Sequence, residues 1–142
     1  DQVYASVDAY FKDLEKIGEL AKEQIGFVPC YIRFPGGASN TVSRKYTEGI
    51  MSELTQKVLE KGYQYYDWNI SSGDGSKATK EEIIKQSETD EYNHIMILFH
   101  DAATKDTTVE ALPEILKYYQ DKGYEFRAID RESLIFHHQT NN

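Results

Sequence analysis

The chain repeats a pattern in which a helix-like segment ends at a glycine, and an aromatic residue and a short apolar run follow. The first two runs begin after Gly26-Phe27 and Gly62-Tyr63 and end at Arg33 and Asp67; a third apolar run ends at His100, and Gly123-Tyr124 closes the helix after it. Helices that alternate with short apolar strands are typical of a parallel α/β sheet, because parallel strands need a crossover connection. The rhythm therefore predicts that these three side chains lie at the same end of neighbouring strands, where α/β proteins build their sites.

Capping signals and hydrophobic spacing place the individual elements. Ser6 is a candidate N-cap and Gly26 a candidate helix end, while Thr79 with Glu82 and Thr107 with Glu110 are capping-box patterns. An interior Pro113 is expected to distort the last helix, since proline lacks an N–H. The predicted helices cover residues 7–24, 47–61, 79–88 and 107–122, and the predicted strands cover 30–34, 63–67, 95–99 and 126–129, with 95–99 covered on both faces.

Composition limits the classes of partner. A length of 142 residues predicts a single domain over residues 1–142, and 39% hydrophobic residues are enough for a core. A net charge of −8 without a basic stripe argues against nucleic acid, and we expect no membrane span because no apolar segment is long enough. The single cysteine, Cys30, cannot form an internal disulfide and is expected to be a buried thiol.

Each strand end has a chemical and a structural interpretation. Arg33 precedes the pair Gly36-Gly37, whose amides can approach a ligand, but an arginine there can equally tie down a loop. Asp67 precedes Trp68, which is either a sugar-stacking wall or a core tryptophan beside a capping carboxylate. His100 can exchange protons near neutrality, with Asp67 expected to hold its imidazolium, or it can be a hydrogen-bonded structural histidine. The chain's four histidines lack zinc-ligand spacing.

Taken together, these stretches closely resemble the later part of the NodB-like polysaccharide deacetylases, carbohydrate esterases that remove acetyl groups from chitin, peptidoglycan or xylan. The resemblance covers essentially the whole chain, and three ordered motifs at fitting intervals are more specific than any one of them. The stretches that carry it are Tyr4-Ala5-Ser6, Arg33-Phe34-Pro35-Gly36-Gly37-Ala38-Ser39-Asn40-Thr41, Tyr66-Asp67-Trp68-Asn69, Leu98-Phe99-His100-Asp101 and His137-His138-Gln139-Thr140-Asn141-Asn142.

The resemblance implies roles for six residues. His100 would be the general acid that protonates the leaving amine or alcohol, and Asp67 would tune it. Arg33 would orient the catalytic base, and the Gly36 amide would contribute to an oxyanion site. Trp68 and Leu98 would line the pocket for the acetate methyl and the sugar.

The family's earlier motifs, a Thr-Phe-Asp-Asp strand end and a His-x-x-x-His metal pair, are absent from this sequence. The resemblance implies a divalent metal, usually zinc, in the parent enzyme, with no metal ligand in this chain, because the motifs that supply the ligands would precede residue 1. We therefore expect α/β structure in the form of an incomplete, distorted (β/α) barrel that lacks its N-terminal strands. We also expect the chain as given to be inactive.

Three functions follow as alternatives. The leading one is a fragment of a secreted or cell-surface deacetylase that acts on an amino-sugar polysaccharide or oligosaccharide. The second is a non-catalytic carbohydrate-binding or assembly module that uses Trp68 for stacking, and the third is a generic α/β domain. Open sheet edges also predict a homo-oligomer or a strand-exchanged dimer, since an incomplete barrel exposes unpaired strands.

Overall fold

A computed structural model describes residues 3–142, which divide into two compact units. The first unit comprises the chain up to residue 67 together with residues 137–142, and the second comprises residues 68–136. The expectation of a single domain stays a prediction.

The first unit contains helix α1 (Val7–Ile25), strand β1 (Tyr31–Ile32), a 3₁₀ helix (Val42–Lys45), helix α2 (Ile50–Glu60) and strand β2 (Gln64–Tyr65). The predicted N-cap of α1 is confirmed, because the Ser6 side chain accepts the N–H of Ala9 at 3.0 Å. Gly26 closes the helix with a φ of 86°, a conformation that glycine adopts at no steric cost.

Strands β1 and β2 pair in parallel, with Tyr31 opposite Gln64 and Ile32 opposite Tyr65. Helix α2 packs Ile50, Leu54 and Val58 inward, at the spacing of one helix face. The core of this unit also includes aromatic side chains from α1 and from the residues around the two strands: Tyr4, Tyr10, Phe11, Phe34 and Tyr65.

The second unit contains strand β3 (Ile70–Ser71), helix α3 (Lys80–Ser87), strand β4 (Ile97–Leu98) and helix α4 (Asp106–Asp121). The predicted capping box of α3 is confirmed, because Thr79 accepts from the Glu82 N–H and Glu82 accepts from the Thr79 N–H. Strands β3 and β4 also pair in parallel. A small core of four residues lies between α3 and α4: Ile83, Ala111, Ile115 and Tyr119.

Parallel strands that alternate with helices confirm the predicted α/β class, and within residues 3–142 the strands form two separate pairs rather than a closed barrel. Paired strands are shorter than the apolar runs that predicted them. Strand β3 was missed because its surroundings are polar, and residues 126–129 form no strand.

Three local predictions were wrong. Helix α4 begins one residue before Thr107 and has no side-chain cap; it includes Pro113, whose distorting effect stays a prediction. Cys30 is exposed rather than buried, since it lies just outside the short β1. Residues 95–99 are half-buried rather than covered on both faces, because four of them line an open groove of about 1020 Å³ in the second unit.

Candidate active site

The structure distributes the six predicted site residues over the two units. Arg33, Gly36 and Asp67 belong to the first unit, and Trp68, Leu98 and His100 belong to the second. Their assembly into one site stays a prediction.

His100 follows strand β4 and is held by a carboxylate from the loop after β3. Its ring nitrogen Nδ1 lies 2.7 Å from Oδ1 of Asp74, and its backbone N–H donates to Oδ2 of Asp74 at 2.8 Å. The Asp74 carboxylate therefore hydrogen-bonds both the main chain and the ring of His100. About 38% of the His100 side chain is exposed against 1% for Asp74, so the ring reaches solvent while its partner is buried.

Asp74 is ionised in this environment. Burial disfavours its charged form, but hydrogen bonds from His100, Ser72 and Thr108 outweigh burial and lower the pKa of the Asp74 carboxyl below its ordinary value. Thr108 donates to Oδ2 at 3.0 Å, and the Ser72 hydroxyl lies 2.9 Å from Oδ1. A charge-assisted hydrogen bond from each donor offsets the loss of water around the carboxylate.

This arrangement fixes the tautomer of the imidazole. An ionised carboxylate only accepts hydrogen bonds, so the proton of the His100–Asp74 contact resides on Nδ1. The other nitrogen, Nε2, is then the one available to a reacting group, as a donor when the ring is protonated and as an acceptor when it is neutral. A histidine held in this way can deliver a proton without changing its orientation.

Within the second unit the carboxylate that contacts His100 is Asp74, and the tuning role predicted for Asp67 stays a prediction. Asp74 was not predicted, because the polar loop gave no strand signal, and strand β3 is what brings that loop beside β4. In the structure Asp74 lies three residues after β3.

Gly75 lies against the imidazole. A methyl group at residue 75 would be 3.1 Å from Cε1 of His100 and 3.6 Å from each ring nitrogen. Contacts near 3.1 Å are tighter than normal van der Waals separation, so any side chain here would press on the ring. The missing side chain keeps space beside Cε1, between the two ring nitrogens.

Asp67 has a different environment in the first unit. Its Oδ1 accepts the backbone N–H of Ala38 at 2.9 Å, and its Oδ2 accepts the backbone N–H of His138 at 2.9 Å. The carboxylate is 2% exposed. Burial, and then the negative charge of Asp67, raise the pKa of the neighbouring Tyr65. Asp67 thus joins the glycine loop to the C-terminal segment.

The C-terminal segment 137–142 packs against the first unit at both of its ends. The ring of His137 stacks on Tyr65 with 3.7 Å between ring centroids. Asn142 accepts the Gly49 N–H at 2.8 Å through its side chain and the Ser52 N–H at 2.8 Å through its main chain, at the start of helix α2. These contacts satisfy helix N–H groups that have no partner within the helix.

The loop that contains Gly36 has the backbone form that the sequence suggested. Gly36 and Gly37 have φ values of 79° and 78°, which side chains disfavour. The Tyr4 hydroxyl donates to the Pro35 carbonyl at 2.8 Å, and Arg33 donates to the Phe34 carbonyl at 3.2 Å. The loop is therefore held by Tyr4, which precedes α1, and by Asp67 through the Ala38 N–H.

Leu98 and Trp68 are half-buried in the second unit. The Leu98 carbonyl accepts from the Ser72 hydroxyl at 2.7 Å, which ties β4 to the loop that carries Asp74. The pocket roles of Leu98 and Trp68 stay predictions.

The described residues do not fit a metal centre. Within residues 3–142, no group of three or more histidine, cysteine, aspartate or glutamate side chains is placed to hold an ion. In the same range, no helical segment combines the length and the hydropathy of a bilayer-spanning helix.

Known proteins similar to this chain are deacetylases. No protein-family model matches it. It is 31% identical over 136 residues to a peptidoglycan-N-acetylglucosamine deacetylase of Bacillus cereus, an alignment that covers 87% of this chain and 46% of that protein. It is 21% identical over 141 residues to the putative polysaccharide deacetylase YheN of Bacillus subtilis, covering 94% of this chain and 46% of that protein. The chain thus spans about half the length of these curated relatives.

Solved structures agree. The catalytic domain of peptidoglycan N-acetylglucosamine deacetylase from Eubacterium rectale superposes with a TM-score of 0.92 and 37% identity, over 99% of this chain and 65% of that one. A polysaccharide deacetylase from Bacillus cereus gives a TM-score of 0.70 with 29% identity, over 90% of this chain and 61% of that one. The chain is therefore similar, over nearly its whole length, to part of the catalytic domain of polysaccharide deacetylases, which confirms the predicted resemblance.

Proposed function

We propose that this chain is the general-acid portion of a deacetylase that hydrolyses acetamido groups on an amino-sugar polymer such as peptidoglycan or chitin. The observation that carries the proposal is the His100–Asp74 contact, in which a buried carboxylate fixes a solvent-reaching imidazole with Nδ1 protonated. The similarity to peptidoglycan deacetylases supports the choice of substrate class. A cell-wall or extracellular location belongs to the same proposal.

The proposed step is proton transfer to the leaving group. When the acetamide C–N bond breaks, the electron pair stays on the sugar nitrogen, and His100 donates the proton of Nε2 to it. The products are acetate and the free amine, with the oxygen supplied by water. Asp74 keeps the Nδ1 proton in place during the transfer, so the imidazole is left neutral and correctly oriented.

Residues of the first unit would have roles of their own in this proposal. Arg33 would orient the catalytic base, and the Gly36 amide would bind the developing oxyanion. The loop that carries Gly36 is supported by the Asp67 bond to Ala38. In this proposal Asp67 shapes the loop, while Leu98 and Trp68 line the pocket.

The base and the metal, with zinc as the favoured ion, would come from chain outside these 142 residues. A divalent metal would supply an activated water, and no step here is assigned to it because the described side chains do not fit a metal centre. We expect the 142-residue chain alone, supplied with zinc or cobalt, to release no acetate from chitooligosaccharides.

A chimaera tests the proposal. Roughly a third of the Eubacterium rectale domain has no counterpart in this chain. That portion, fused to this chain in the order of the bacterial domain, should release acetate from acetylated chitooligosaccharides or peptidoglycan in the presence of zinc.

His100→Ala in the chimaera should lower kcat by about 10²-fold or more, the usual range for loss of a general acid. A matched substitution of the histidine that precedes β4, His94→Ala, at the end of the strand opposite His100, should leave kcat within about twofold. An active chimaera that keeps its rate with His100→Ala would refute the general-acid role. A folded, zinc-loaded chimaera without any activity would contradict the deacetylase proposal itself.

A further inference from the structure

We propose that Thr108 is a positioning residue for the general acid and acts on His100 through Asp74. The inference rests on the proposed function, since orientation of His100 matters to catalysis only if His100 transfers a proton. Thr108 is not in any stretch that carries the family resemblance, and it lies on helix α4 rather than on a strand end.

The geometry sets Thr108 apart from the other hydroxyl at the site. Its Oγ1 donates to Oδ2 of Asp74 at 3.0 Å, and its side chain is in the interior, with the residue only 4% exposed. The Ser72 hydroxyl has one hydrogen and two acceptors within reach, Asp74 at 2.9 Å and the Leu98 carbonyl at 2.7 Å. The Thr108 hydroxyl therefore donates to the carboxylate more consistently than the Ser72 hydroxyl, which can also donate to the Leu98 carbonyl.

The oxygen that Thr108 contacts explains its effect on the ring. Oδ2 also accepts the backbone N–H of His100, so two donors hold that oxygen and leave Oδ1 aimed at Nδ1. Without the Thr108 hydroxyl, the carboxylate is held on that side by the His100 main chain alone. Its rotation about the terminal bond is a soft motion, and the Nδ1 contact loosens with it.

Helix α4 adds a second hold on residue 74. Thr108 lies in the first turn of the helix, where the helix dipole favours a negative charge. The ammonium group of Lys105, immediately before the helix, donates to the main-chain carbonyl of Asp74. The start of α4 thus fixes both the backbone and the carboxylate of Asp74, and through them the orientation of His100.

Two variants of nearly equal shape test the inference. Thr108→Val removes the hydroxyl and keeps the branched side chain, whereas Thr108→Ser keeps the hydroxyl and removes the methyl group. In the 142-residue chain, carbon NMR of the Asp74 carboxyl should show a raised pKa in the valine variant and a nearly unchanged pKa in the serine variant. Equal values in both variants and the parent chain would overturn the inference.

Catalysis in the chimaera gives an independent readout. Thr108→Val should lower kcat about tenfold with KM within about twofold, and Thr108→Ser should restore kcat, because the acid loses alignment and the substrate site is untouched. An unchanged kcat with valine, in a chimaera that depends on His100, would refute Thr108 as a positioning residue while leaving the proposed function intact. An equal loss of kcat in both variants would also refute it, since general destabilisation does not depend on the hydroxyl.

Discussion

Two buried aspartates follow strands in this chain, and their carboxylates bind different kinds of donor. Asp67 and Asp74 are each 2% exposed, and each accepts a backbone N–H. Asp67 binds only the main chain in the hydrogen bonds described above, from Ala38 and His138, whereas Asp74 binds an imidazole and hydroxyl groups as well. Burial and position at a strand end therefore do not reveal which carboxylate binds the histidine. The hydrogen-bond donors around each carboxylate reveal it.

The same contrast separates structural from chemical use of a charge. A carboxylate that accepts two backbone N–H groups connects segments of chain, and its loss is felt as local opening. A carboxylate that accepts Nδ1 of a half-exposed histidine sets the state of a group that can meet substrate. Substitution of each aspartate by asparagine, which preserves shape, tests directly whether the two carboxylates have different roles.

Asp74→Asn should have the largest effect. The backbone N–H of His100 cannot accept a hydrogen bond, so the amide oxygen must take the position of Oδ2 and the NH₂ group must face Nδ1. His100 then accepts at Nδ1 and carries its proton on Nε2, the reverse of the parent tautomer. Long-range nitrogen–proton NMR of the imidazole should show this switch. The free energy of unfolding should fall by about 2–3 kcal/mol, the range for hydrogen bonds to a buried charged group.

The control for this prediction is Asp67→Asn, which should leave the His100 nitrogen shifts at their parent values. An imidazole that keeps the proton on Nδ1 in Asp74→Asn would contradict the assignment of Asp74 as its partner. A tautomer switch in Asp67→Asn instead would support the role predicted for Asp67.

Asp67→Asn should have a smaller and more local effect of its own. Asparagine offers one oxygen to the two N–H groups of Ala38 and His138, so one of them loses its acceptor. The free energy of unfolding should fall by about 1–2 kcal/mol. Amide hydrogen exchange should accelerate at Ala38, at His138 or at both, with little change at His100. Unchanged exchange at both residues would show that Asp67 does not hold the glycine loop.

The sequence anticipated the helices well and the strands less well. Local signals define helix ends, so Ser6, Gly26 and the Thr79–Glu82 capping box could be predicted from neighbouring residues alone. Strand pairing depends on distant residues, and the strands predicted from apolar runs are longer than the segments that pair in the structure. Strand β3 was missed for the same reason, because its pairing with β4 is absent from any local pattern.

The candidate site was predictable to the same extent. His100 was identified from its position after an apolar run, a signal contained within a few residues. Its partner was not, since the identity of the contacting carboxylate depends on how the loop after β3 folds beside β4. Thr108 gave no signal of this kind; the only prediction nearby was the Thr107–Glu110 capping box, which does not form.

Acid titration should reveal the contribution of Asp74 to the free energy of unfolding. Its pKa is lower in the folded chain than in the unfolded chain, so its stabilising effect is complete above the unfolded value and disappears as the pH falls through the folded value. The difference in unfolding free energy between the parent chain and Asp74→Asn should narrow as the pH falls below about pH 4. Chemical denaturation at each pH measures it. A difference that narrows already near pH 6 would require a raised pKa and would contradict the predicted direction.

The smallest effects are expected from adding a methyl group at one glycine in each unit. A methyl group added at Gly75 would lie 3.1 Å from Cε1 of His100, and one added at Gly18 would lie 3.1 Å from Cγ1 of Val28. Neither glycine has a positive φ, so alanine is compatible with both backbones and the two substitutions differ mainly in what they press on. Each should change the free energy of unfolding by less than about 1 kcal/mol.

Only Gly75→Ala should shift the carbon and nitrogen signals of the His100 ring, because the ring must move by a few tenths of an ångström to relieve the contact. Gly18→Ala should leave those signals unchanged while shifting those of Val28. If Gly75→Ala left the ring signals at their parent values, the imidazole would not lie against residue 75. A shift confined to Gly75→Ala would show that the second unit positions the histidine at two places, by the Asp74 carboxylate at Nδ1 and by the missing side chain beside Cε1.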